Sequence, residues 1–128
     1  EIFVMSTQAI YTFVDPASGD EVSVFKHWDG YPRGAATFLQ RAKELAWPFP
    51  RFEADEFAAA FVAANKTREG DCRLMADPSQ DWYVDYKYRI GFAHGGLVVE
   101  IFERRADCKY VLVDARNLDD MEVLGEVA

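Results

Sequence analysis

The sequence predicts an α+β domain: an antiparallel sheet of about five strands, in the order β-β-α-α-β-β-β, with two helices packed on one face. Three observations predict it. Apolar residues occupy every second position from Trp82 to Phe92, the period of a strand with one buried face. Two segments near residues 35–46 and 53–66 place apolar side chains at the i, i+3, i+4, i+7 spacing of amphipathic helices. Short clusters of turn formers join the strands, which suits hairpins, and the helices are adjacent in the chain. At 128 residues, half of them apolar and 28% charged, the chain fits one domain over 1–128 that builds its own core.

The elements follow in order. Glu1-Ile2-Phe3-Val4-Met5 lacks the basic region and long apolar core of a signal peptide. A start at Glu reads as a trimmed leader or as residues added ahead of Met5, so residues 1–7 are expected to be foreign or disordered. Ala9 to Asp15 and Glu21 to Phe25 are β-branched and aromatic, and Pro16-Ala17-Ser18-Gly19-Asp20 between them is a five-residue hairpin loop. Two glycines and a proline in His27 to Gly34 break the ladder. Helix one then buries Ala35, Phe38, Leu39, Ala42, Leu45 and Ala46, leaves Gln40, Arg41, Lys43 and Glu44 wet, and stops at Trp47-Pro48-Phe49-Pro50. Helix two opens on Glu53, Asp55 and Glu56, which suit the positive end of its dipole. It buries Ala54, Phe57, Ala58, Phe61, Val62 and Asn65.

A short extra strand fits around Arg73-Leu74-Met75. Trp82, Val84, Tyr86, Tyr88, Ile90 and Phe92 form the clearest stripe, read as the sheet's core face. Ala93-His94-Gly95-Gly96 turns into Leu97 to Arg104, and Arg105 to Cys108 turns into Tyr110 to Asp114. Residues 117–128 form an acidic tail with one short helical turn near Leu118 to Leu124.

Composition excludes several roles. Twenty-two acids against fourteen bases give a net charge of −8, and no long basic run offers phosphates a surface, so direct nucleic-acid binding is not expected. No apolar stretch approaches the roughly 20 residues of a membrane-spanning helix. Cys72 and Cys108 are isolated, with no CxxC, which reads as cytosolic and without a zinc or thioredoxin-type site. Phosphate-loop, GxSxG and EF-type calcium patterns are missing, and no cofactor or metal is expected.

The most distinctive run is Lys26-His27-Trp28-Asp29-Gly30-Tyr31-Pro32, at a strand-to-helix junction. One reading makes His27 a general base oriented by Asp29, with Trp28 and Tyr31 walling a pocket and Arg33 contacting substrate. The plainer reading is a structural corner, with Asp29-Gly30 as its turn and Trp28 or Tyr31 packed into the core. His94 fits an exposed turn. Tyr83, on the far face of the aromatic strand, is a candidate partner contact.

This run, with Trp47-Pro48-Phe49-Pro50-Arg51-Phe52-Glu53-Ala54-Asp55-Glu56-Phe57 after it, resembles small uncharacterised bacterial proteins carried on mobile elements such as prophages and integron cassettes. The resemblance covers the central third of the chain, implies that habitat, and transfers no catalytic residue. The function expected is a non-enzymatic cytosolic accessory module that binds a protein or small ligand, with homodimerisation through a sheet face or edge. Two alternatives stand beside it: an acidic inhibitor of a nucleic-acid-binding protein, and a small enzyme centred on His27 and Asp29.

Overall fold

The structure, a computed structural model, describes residues 6–77 and 83–125. Strands β1 (Ala9–Val14) and β2 (Glu21–Lys26) form the expected hairpin, with Val14 opposite Glu21. Asp15 closes its loop: the Asp15 amide donates to the Asp20 carbonyl at 2.8 Å, and its carboxylate accepts from the amides of Ala17 and Ser18 at 3.0 and 3.2 Å. Helix α1 (Pro32–Leu45) starts on proline, whose fixed φ and missing N–H suit the first helical position. Helix α2 (Ala54–Asn65) carries Asp55 and Glu56 in its first turn, where the dipole favours acids. Asp15 Oδ2 also accepts from the Ala54 amide at 3.3 Å, so one side chain organises the hairpin loop and the start of α2.

Strands β3 (Cys72–Leu74), β4 (Tyr86–Ala93), β5 (Gly96–Arg104) and β6 (Tyr110–Asn117) complete a six-stranded sheet in the order β3-β2-β1-β4-β5-β6. The turn between β4 and β5 has φ of +53° at His94 and +78° at Gly95, the paired positive values of a two-residue hairpin turn. The sheet departs from the expected pattern in one place: β1 and β4 pair in parallel, with Tyr11 opposite Tyr88. The cause is the connection before β4. β3 and β4 run the same way but are not neighbours: β2 and β1 lie between them, and β4, entering on the far side of β1, lies parallel to it.

The helices cover one sheet face. Phe57 and Phe61 of α2 and Leu39 of α1 pack against Tyr11 and Phe13 of β1, Tyr88 and Ile90 of β4, and Val99 of β5, all fully buried. The Phe61 ring lies 4.6 Å from Tyr11 and 5.6 Å from Phe13. Truncating an aromatic in such a setting costs about 3–5 kcal/mol. Tyr86 and Phe92 continue the stripe at the margin of this core.

Two expectations about the core are corrected. Val84 joins a second cluster with Ile10 and Phe25 on the opposite face, because the chain bends at Asp85 and strand alternation begins only at Tyr86. The bend is tied to the residue before β1, where the Gln8 amide donates to Asp85 Oδ2 at 2.9 Å. Trp82, read as part of the stripe, lies outside the described residues. Leu45 is 58% exposed, because Ala42 and Ala46 take the buried side of the last turn of α1. The helical turn expected near 118–124 is a 3-10 turn at Leu118–Asp120, capped by Asn117, with Leu118 buried in the core. Beyond it the Leu124 amide donates to Thr37 Oγ1 at 2.7 Å, docking the tail on α1. No helix among the described residues is long and apolar enough to cross a membrane.

Candidate functional site

Strand alternation puts Lys26 on the helix-covered face with Val22 and Val24. A lone ammonium there would be costly, so it is paired. Lys26 Nζ donates to Asp71 Oδ1 at 2.7 Å, with side chains only 4% and 1% exposed. The same ammonium stands 4.2 Å from the centre of the Phe38 ring. Asp71 Oδ2 accepts from the amide and hydroxyl of Thr67 at 3.1 and 3.2 Å, and the Asp71 carbonyl accepts from the His27 amide at 2.8 Å. One buried ion pair therefore ties the end of β2 to the loop between α2 and β3.

Beside this pair opens a cleft of about 390 Å³, walled by Trp28, Asp29, Phe38, Arg41, Asn65 and Arg68. The Arg68 guanidinium lies over the Trp28 ring, 4.1 Å from its centre, a cation–π arrangement that orders both side chains. Asn65 Nδ2 donates to the carbonyls of Phe38 and Phe61, both at 2.9 Å. Those bonds fix the amide, since the flipped form would face two carbonyl oxygens with a third. Asn65 Oδ1 is thereby left buried without a partner among the described residues, a cost of about 1–3 kcal/mol. Beneath lies Tyr11, whose phenol is held well above its ordinary pKa by burial first and then by Cys72, Asp29 and Asp71. Burial, followed by the neighbouring Asp71 carboxylate, pushes the Cys72 thiol up to about 11.

The corner that presents Trp28 and Asp29 is clamped by close backbone contacts. Asp29 itself takes the left-handed conformation, with φ of +59°. Gly30 is required for space: a Cβ there would stand 2.7 Å from Ala9 Cβ and 2.8 Å from the Thr7 carbonyl oxygen. Its amide donates to Thr7 at 2.8 Å, and its carbonyl accepts from the Tyr88 hydroxyl at 2.6 Å. A Cβ on Gly34 would run into the Asp29 carbonyl oxygen.

Of the residues singled out in the sequence, the structure brings Trp28 and Asp29 into the cleft. His27 sits behind, its ring 4.3 Å from Trp28 and 6.1 Å from Phe25, and no hydrogen bond joins it to Asp29 among the described residues. Tyr31 caps α1; partial burial and then the Asp29 charge raise its phenol pKa. Neither Trp28 nor Tyr31 joins the core, contrary to the corner reading: Tyr88 fills that place from β4. Arg33 lies in a separate groove of about 490 Å³, paired with Glu122 at 3.8 Å. Tyr83, 64% exposed, contacts Cys108 near the turn between β5 and β6. His94 is exposed at its turn. The sequence reading missed Lys26, Asp71, Asn65 and Arg68 as site residues, and placed Arg41 only on a wet helix face.

The second groove is larger, but its two cations are both answered by acids that line it: Arg33 pairs with Glu122 and Arg116 with Asp114, each at 3.8 Å. The cleft beside Trp28 is smaller and less satisfied. No group of three or more metal-ligating side chains occurs among the described residues. Comparison with protein-family models, curated proteins and solved structures finds no match to this chain.

Proposed function

We propose that this chain is a non-enzymatic binding module of the cytosol that holds a small ligand in the cleft beside Trp28. The observation that carries this reading is the convergence there of an indole face, two arginines and a carboxylate over a buried ion pair. A cleft of about 390 Å³ falls within the size range of small-molecule sites, which combine apolar walls with a few fixed polar groups. The clamped corner at Gly30 and the pinned loop 67–71 support it, because preformed walls reduce the ordering cost of binding. The unbonded thiols of Cys72 and Cys108 suit a reducing compartment.

The test is a screen of neutral, cationic and anionic fragments against the full chain by two-dimensional NMR. Saturable shifts should centre on the Trp28 indole and the 66–71 amides, and Trp28→Ala should abolish them while the core signals of Phe57 and Phe61 persist. Absence of any fragment at Trp28, or binding confined to the groove beside Arg33, would overturn the assignment.

A further inference from the structure

The cations of this protein are mostly answered by its own acids. Nine of the fourteen Lys and Arg side chains form ion pairs among the described residues. That is expected of a chain with twenty-two acids, where a cation placed at random finds a carboxylate nearby. Arg41 and Arg68 are exceptions: neither pairs with a carboxylate among the described residues, and both line the same cleft. Lys87, also without an ion pair there, lies over the Tyr110 ring. Lys66 likewise has no ion pair among the described residues and donates to the Arg68 carbonyl, but only Arg41 and Arg68 meet in one cleft without a carboxylate partner.

The rest of the cleft keeps that charge available. Asp71 is fully committed, one oxygen to Lys26 and the other to Thr67, so the floor is neutral. Of the lining groups this leaves two guanidinium ions against the single carboxylate of Asp29, a local positive balance on a protein of net charge −8. Both arginines are arranged beforehand. Arg68 rests on Trp28, and its carbonyl accepts from Lys66 Nζ at 3.0 Å; Arg41 rises from α1 beside Phe38, 6.0 Å from the ring centre.

We infer that the ligand of this cleft is a small oxyanion, a carboxylate or a phosphate, held by Arg41 and Arg68 against Trp28. The inference rests on the ligand-binding reading above and narrows it to a charge class. Guanidinium groups match either oxyanion through charge-assisted hydrogen bonds. Two arginines suit a small anion; a nucleic-acid backbone would need a longer row of cations.

The experiment titrates the full chain separately with inorganic phosphate, sodium acetate and the neutral probe benzyl alcohol, at constant ionic strength set with sodium chloride. Trp28 indole and Arg68 Nε–H signals are followed by NMR. At least one anion should shift both signals saturably, and the anion that does so distinguishes phosphate from carboxylate ligands. Arg41→Gln and Arg68→Gln should each weaken that binding roughly tenfold or more, the worth of one charge-assisted bond. Both arginines are exposed, so the variants should fold, which their unchanged core methyl spectra would verify. Shifts that merely track ionic strength, or saturable binding untouched in both variants, would overturn the inference. Benzyl alcohol bound at Trp28 with neither anion binding would overturn the anionic class while leaving the ligand-binding reading intact. No probe at Trp28 would overturn both.

Discussion

Replacing Lys26 by Met leaves the Asp71 carboxylate in place, 1% exposed, with its cation gone. Breaking a buried pair on one side costs about 3–5 kcal/mol, because the stranded charge has lost both water and partner. Asp71 keeps two donors from Thr67, which places the loss at the lower end, about 3 kcal/mol. Asp71→Asn strands the ammonium over Phe38, and a similar loss is expected, since a cation–π contact returns only about 2 kcal/mol. The double variant buries no charge, and should be no less stable than either single one. The coupling energy of the cycle is then about 3 kcal/mol, a large part of a total stability typically near 5–15 kcal/mol. Urea denaturation at pH 7, with equal slopes for all four proteins, measures it. Repeating the cycle at high salt should leave the coupling unchanged, because a buried pair escapes screening. Additive single effects, or a coupling below about 0.5 kcal/mol as exposed pairs give, would refute the reasoning.

Four further outcomes are expected. Gly30→Ala forces a Cβ to within 2.7 Å of Ala9 Cβ and should cost about 1–3 kcal/mol by overpacking. Gly91→Ala, where a Cβ meets nothing within 4 Å, should change stability by no more than about 0.5 kcal/mol in the same denaturation assay. Asp15 is held below the ordinary carboxyl pKa of 3.8 by the amides of Ala17, Ser18 and Ala54. A lowered folded pKa gives stabilisation that is complete above the unfolded value and lost as pH falls through the folded one. Asp15→Asn should therefore be less stable than the parent at neutral pH, with the difference shrinking below about pH 4 in a pH series of melting curves. Thiol labelling at pH 8 should modify Cys108 alone in the folded protein, since Cys72 is buried with its pKa near 11. Mass spectrometry showing two labels without denaturant would contradict the packing at β3.

Local pattern carried much of the architecture. The stripe from Tyr86 to Phe92, the glycine turn at 94–95 and the two helices were legible because each depends on residues close in sequence. The parallel pairing of β1 with β4 was not, because nothing within either strand encodes its neighbour, and the two are separated by more than seventy residues of chain. Val84 misled because alternation was extended through a bend created by Gln8 and Asp85, 77 residues apart. The cleft was half legible. Trp28 and Asp29 stood out as unusual residues at a junction, whereas Lys26 and Asp71 meet across 45 residues through the register of β2 with β3. Arg68 carries no local mark. Its place follows from the loop that Asp71 pins, which exists only once the sheet is formed.

That parallel pairing also has a consequence for the chain as it is made. β1 is a central strand, yet one of its two neighbours is β4, and residues 15–85 must emerge between them. At about 5–20 residues per second, the partner arrives some 4–14 s after β1 itself. In that interval the β2 hairpin and the helices can cover one edge and one face, while the edge meant for β4 stays open, with Tyr11 and Phe13 lacking Tyr88 and Ile90 beside them. Nascent chains stalled at residue 77 should accordingly be cut by protease within β1, and chains released past residue 104 should resist. The strand that completes the centre of the sheet is made only after β2, both helices and β3, so the seam between β1 and β4 stays unsealed until residue 93 has been added.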